Sequence, residues 1–191
     1  MNTPNKLTLL RVAMVPVFLI LLLTDFPFHY LLALLAFIFA ALTDLFDGRL
    51  ARKNDQITDF GKFLDPLADK MLTTAAFLGF IELRVGYGIA YITMIVLTRE
   101  FLVTSLRLIA SGSGKVIAAD FLGKLKTVCQ MTAVIVSIFL LFLSDSGLLP
   151  LFLLPAAQIV CTVLLWISAV LTVWSGTDYL LKYRKYIDYK K

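Results

Sequence analysis

Histidine, cysteine and charge are all scarce in this 191-residue chain, which has one His and two Cys. His29 lies between Phe28 and Tyr30, with nothing nearby to complete a metal or catalytic site, and reads as an interfacial residue. Cys129 and Cys161 both fall inside apolar segments, so they read as small hydrophobes without a disulfide and leave the compartment open. Only 16% of residues are charged against 60% hydrophobic, and the mean hydropathy is +0.88. Such a balance excludes an ordinary soluble domain and specifies an integral membrane protein. Other absences narrow the reading further. SGSGK at 111–115 lacks the spacing of a phosphate-binding P-loop. The first apolar run is followed by Asp25-Phe26-Pro27-Phe28, not by a small-residue cleavage site, so it reads as an uncleaved span. There is no internal repeat, low-complexity tract or linker, and residues 1–191 are expected to form one membrane domain.

The apolar runs set the expected architecture: an all-α, polytopic membrane protein of six transmembrane helices with a short N-terminal interfacial helix. MNTPNKLTLLR supplies that interfacial helix, and the spans are expected at 12–24, 30–52, 60–82, 88–110, 120–143 and 149–174. Pro16 and Pro66 lie inside two of them, where neighbouring helices tolerate a kink or local adjustment. Residues 175–191, with four Tyr and five basic residues, suit either a helix along the membrane surface or a frayed charged tail. Under this reading Arg84 is the only one of 18 basic residues in a loop on the side of 25–30, 83–87 and 144–148. That asymmetry orients both termini and the aspartates near 44–69 towards the cytoplasm. The net charge of +5 therefore reads as topology determinants and phosphate ligands, not as a nucleic-acid surface.

What the chain does have is charge in an unfavourable place. TDLFDGRLARKNDQITDFGKFLDPLAD brings Asp44, Asp47, Asp65 and Asp69 beside long apolar runs. An ionised Asp at membrane depth costs several kcal/mol or more, so four of them need a counter-charge, and a bound divalent cation is the evident one. Spacings of three and four residues place Asp44, Asp47, Gly48 and Ala51 on one helical stripe, and Gly61, Asp65 and Asp69 on another. The connection from Arg52 to Asp59 is short enough to make the two helices antiparallel neighbours. An oxygen-only set suits Mg2+ or Mn2+ rather than zinc, and four carboxylates can hold two ions, a recurring device for phosphoryl transfer. Gly48, Ala51 and Gly61 leave room for a ligand, although close helix packing in lipid explains each of them equally well.

Arg107, Lys124 and Lys126 are placed at the cytoplasmic ends of their spans, where they would flank the acidic cluster with a positive pocket. Arg99 and Glu100 lie deeper and read either as an internal ion pair or, for Arg99, as a ligand of an anionic substrate. The whole arrangement suits two phosphate-bearing substrates, one anchored in the bilayer and one arriving from water.

The string Asp44-x-x-Asp47-Gly48-x-x-Ala51-Arg52, eight residues, then Gly61-x-x-x-Asp65-x-x-x-Asp69 resembles the motif of the CDP-alcohol phosphotransferases at all eight defining positions. PNKLTLLR, REFLVTSLRL at Arg99–Leu108 and GKLKT at Gly123–Thr127 extend the resemblance towards the bacterial phosphatidylglycerophosphate synthases. The resemblance implies CDP-diacylglycerol as donor, sn-glycerol 3-phosphate as acceptor, phosphatidylglycerophosphate and CMP as products, and a homodimer. It also implies Asp44, Asp47, Asp65 and Asp69 as ligands of two Mg2+ or Mn2+ ions, with Asp69 as general base. Gly48, Ala51, Arg52 and Gly61 would line the CDP pocket. Other acceptors, namely serine, inositol phosphate or phosphatidylglycerol, are the alternatives within the family. A cation transporter or an intramembrane prenyltransferase is the alternative outside it.

Overall fold

The computed structural model describes residues 3–54, 59–112 and 120–183, and their side chains except at 3–7, 44–54, 59–67, 69, 111 and 112. Among the described residues six long helices follow one another: α1 (Thr3–Leu23), α2 (His29–Asn54), α3 (Asp59–Glu82), α4 (Ile89–Gly112), α5 (Phe121–Asp145) and α6 (Leu154–Tyr183). A single 3-10 turn at Leu151–Leu153 leads into α6, and no strand occurs among the described residues.

The helices close into a ring in which α1 packs on α2 and α3, α5 on α2 and α6, and α4 on α3 and α6. Its interior is filled by fully buried Phe18, Leu22, Phe37, Phe77, Phe80, Ile138 and Leu165, with Ala33, Ala40, Ala76 and Ala133 allowing close helix approach. Phe18 and Phe37 meet across α1 and α2 with ring centroids 5.4 Å apart. The outer surface is equally apolar: Ile20, Leu35, Phe39, Met94, Leu108, Phe152, Val170 and Trp174 are all exposed. Apolar residues inside and out make a membrane protein. Among the described residues Ile89–Ala110, Phe121–Asp145 and Leu151–Tyr183 are long and apolar enough to cross a bilayer, and Thr8–Leu23 and His29–Thr43 are shorter apolar stretches.

The helix ends are fastened by specific contacts. Between α3 and α4 the chain turns at Arg84, Gly86 and Gly88, all with positive φ, and any Cβ at Gly88 would come within 3.2 Å of the Trp166 ring. That turn is held to α6 by Gln158 donating to the Arg84 carbonyl (3.1 Å) and Trp166 donating to the Tyr87 carbonyl (3.1 Å). Asp120 caps α5 by accepting from the Phe121 amide, and it pairs with Lys182 of α6, which also reaches Asp178 at 2.6 Å. The hydrogen bond from Lys182 holds the Asp120 carboxyl below the usual carboxylate range.

Two expectations need correction. The separate N-terminal interfacial helix does not form as such, because α1 runs unbroken from Thr3 to Leu23 and through Pro16. Pro4 sits in the first turn, where its missing N–H costs nothing, and no breaker separates that turn from the apolar run. The last helix, expected to end at 174, continues to Tyr183. Its buried Thr172, Ser175, Gly176 and Tyr179 keep one face packed, so this part of the chain is a bundle helix up to Tyr183. Residues 184–191 lie outside the described residues.

Candidate active site

The eight motif positions divide between two helices. Asp44, Asp47, Gly48, Ala51 and Arg52 belong to α2, whereas Gly61, Asp65 and Asp69 belong to α3. Helical geometry puts Asp44 and Asp47, and likewise Asp65 and Asp69, about one turn apart on their own helices. The side chains of all eight lie outside the described residues. Among the described residues no group of three His, Cys, Asp or Glu side chains could hold a metal. The donor chemistry of the motif, four carboxylates and no imidazole or thiolate, fits a hard divalent cation.

Lys70, the residue after Asp69, leads from the motif into a pocket of about 310 Å3 formed by α3, α4 and α5. Arg107, Lys124 and Lys126, expected from the sequence to share a site, all line this pocket together with Lys70 and Arg99. Among the described residues, five cations thus line this cavity against one carboxylate, Glu100. The balance favours an anion, and several N–H donors on three helices favour one with several oxygens, such as a phosphate.

Glu100 organises three of these cations. It pairs with Lys126, lies 3.4 Å from Lys70, and accepts from Arg99 Nη1 at 3.2 Å. Lys126 is the most enclosed of the group, its side chain 5% exposed. Lys70 also donates to Thr104, whose hydroxyl in turn donates to the Glu100 carbonyl at 2.7 Å. Arg99 crosses towards α6 and donates from Nη2 to Ser175 at 2.8 Å. Gly176 makes that crossing possible, since a Cβ there would stand 2.9 Å from Arg99 Cγ. Arg99 is thus ion-paired with Glu100 and also lines the pocket. Arg107, nearer the helix end, donates from Nε to the Tyr179 hydroxyl at 3.0 Å, and its Cζ lies 5.5 Å from that ring's centroid.

Sequence reasoning missed Lys70, Thr104, Ser175 and Tyr179. The available signal was on α6, where Thr172, Ser175, Gly176 and Tyr179 recur at spacings of three and four and mark a buried face. The tyrosine-rich composition of 175–191 obscured it.

A family model described as CDP-alcohol phosphatidyltransferase matches residues 1–174. The CDP-diacylglycerol--glycerol-3-phosphate 3-phosphatidyltransferase of Bacillus subtilis (strain 168) is 40% identical over 193 residues, covering 95% of this chain and 94% of that protein. Proteins of the same description from Rickettsia bellii (strain RML369-C) and Yersinia pestis (strain Pestoides F) are each 35% identical. They cover 97% and 94% of this chain, and 97% and 93% of their own length.

Proposed function

The chain belongs to the CDP-alcohol phosphatidyltransferase family, and from that premise we infer that it transfers the phosphatidyl group of CDP-diacylglycerol to sn-glycerol 3-phosphate, giving phosphatidylglycerophosphate and CMP. The observation that carries a phosphate-bearing acceptor over serine is the pocket in which Arg107, Lys124 and Lys126 meet Lys70 and Arg99. A phosphate dianion answers that concentration of positive charge, whereas serine brings an ammonium group of its own. The matched relatives, named for the same acceptor, support the same choice.

In this reading the acceptor's phosphate rests on Arg107 and Lys124, with the enclosed Lys126 adding positive charge behind them, and its primary hydroxyl is directed towards the motif. Asp69 takes the hydroxyl proton as the oxygen attacks the phosphatidyl phosphorus. A new P–O bond forms there while the bond to the bridging oxygen of CMP breaks, and CMP leaves with that oxygen. Gly48, Ala51, Arg52 and Gly61 line the space for the CDP moiety, and the acyl chains remain in the bilayer. Asp44, Asp47, Asp65 and Asp69 would hold two Mg2+ or Mn2+ ions, which supply charge stabilisation for the pyrophosphate and the leaving group. A carboxylate base need not titrate near neutrality if the hydroxyl is itself acidified in the site.

The six helices are six spans of one membrane domain in the bacterial inner membrane, with the termini and the site on the cytoplasmic side, a reading supported by the basic asymmetry of the loops. The homodimer comes from the family resemblance. An acceptor panel tests the function. Purified protein in detergent micelles with CDP-diacylglycerol and Mg2+ should release CMP with glycerol 3-phosphate but not with serine, inositol phosphate or phosphatidylglycerol. Preference for any of the other three would refute the assignment.

A further inference from the structure

Resting on this reading of the acceptor pocket, we propose that Tyr179 is a positioning residue that fixes the guanidinium of Arg107 so that its two terminal nitrogens form an end-on fork for the acceptor's phosphate. The two residues stand 72 positions apart, on α4 and α6, and Tyr179 is 3% exposed whereas Arg107 is exposed. A buried ring therefore holds a side chain that would otherwise move freely. The ring is itself held: Val103 and Leu106 of α4 bury against it, Leu102 and Leu180 close the cluster, and the Tyr183 ring lies 4.7 Å away.

The geometry then selects a binding mode. A guanidinium carries five N–H donors in one plane, and can offer an anion either its two terminal nitrogens or the side formed by Nε and one terminal nitrogen. Here Nε is taken by the Tyr179 hydroxyl at 3.0 Å, which removes the side-on mode. Among the described residues Nη1 and Nη2 have no hydrogen-bond partner, and Arg107 lines the pocket. The end-on fork matches two phosphate oxygens, and the stacking of Cζ 5.5 Å from the ring centroid restricts its rotation. Tyr179 thus lowers the ordering cost of binding without touching the acceptor.

Tyr179→Phe tests this, because it keeps the ring and its packing and deletes only the hydroxyl acceptor. The expected result is an acceptor KM raised about threefold to tenfold, the effect of ordering one rotamer-rich side chain. The donor KM and the kcat at saturating acceptor should stay within about twofold, and the thermal midpoint should be unchanged. In an Arg107→Ala background the same substitution should add nothing, since the two residues act as one unit. If Arg107→Ala raises the acceptor KM but Tyr179→Phe does not, the positioning role is overturned and the acceptor reading stands. If neither variant moves it, the acceptor reading falls and the positioning role with it. An equal rise in an Arg107→Ala background would overturn the proposal too, by showing that Tyr179 acts through something else.

Discussion

Replacing Glu100 by Ala should be among the most destabilising single changes in the bundle. Its side chain is 15% exposed and faces Lys126, Arg99 and Lys70, whose side chains are 5%, 13% and 25% exposed. Removing one member of an enclosed ion pair leaves the other charge uncompensated, which costs about 3–5 kcal/mol, against roughly 0–1 kcal/mol for a surface pair. Lys126 decides which figure applies. It is nearly inaccessible, and among the described residues Glu100 is the carboxylate it pairs with. A loss of about 3–5 kcal/mol is about two to four factors of ten in the folding equilibrium. The assay is equilibrium unfolding of the purified protein in mixed micelles, with helix content as the signal. A paired variant, Glu100→Leu with Lys126→Met, should be more stable than Glu100→Ala, because it removes the most enclosed of the three cations together with its carboxylate and leaves only Arg99 and Lys70, which also bond Ser175 and Thr104. A loss below about 1 kcal/mol for Glu100→Ala, in the range of surface pairs, would refute the reasoning. So would a paired variant no more stable than the single one.

Four further outcomes are expected. Arg107→Ala or Lys124→Ala should each raise the acceptor KM about tenfold to a hundredfold, the equivalent of a charge-assisted contact of roughly 1.5–3 kcal/mol, with the donor KM less affected; steady-state kinetics with each substrate varied in turn will show the split. Chelation should abolish turnover and Mg2+ or Mn2+ restore it. Asp44→Asn and Asp47→Asn should weaken metal and donor binding, with Asp69→Asn lowering kcat more than donor affinity. A Cys introduced at Lys191 should be labelled only after the cell envelope is permeabilised. Labelling from outside intact cells would reverse the orientation.

The helices were legible because their apolar runs are long and bounded by polar turns, and each of the six expected stretches overlaps one observed helix, with 30–52 and 60–82 falling wholly inside theirs. The errors fell at the two ends, where composition and packing disagree. Residues 1–11 read as a separate interfacial helix, yet α1 runs unbroken from Thr3 to Leu23, and the charged, tyrosine-rich stretch after 174 reads as surface although Tyr179 is 3% exposed. The meeting of Arg107, Lys124 and Lys126 was legible from sidedness alone, since cations at the same ends of adjacent spans have little choice but to converge. Their partners were not. Glu100 reads only as a neighbour of Arg99 until α5 brings Lys126 to it, and Tyr179 is joined to Arg107 by the packing of α4 on α6. No local pattern encodes a contact across 72 residues.

The most direct measurement follows the acceptor's atoms into lipid. Purified protein, CDP-diacylglycerol, Mg2+ and glycerol 3-phosphate carrying isotopic label in its carbon skeleton should give a labelled lipid whose mass is that of phosphatidylglycerophosphate, with one CMP released per labelled molecule. CMP released without label entering lipid would contradict phosphatidyl transfer to glycerol 3-phosphate, as would absence of both products with metal and substrates saturating.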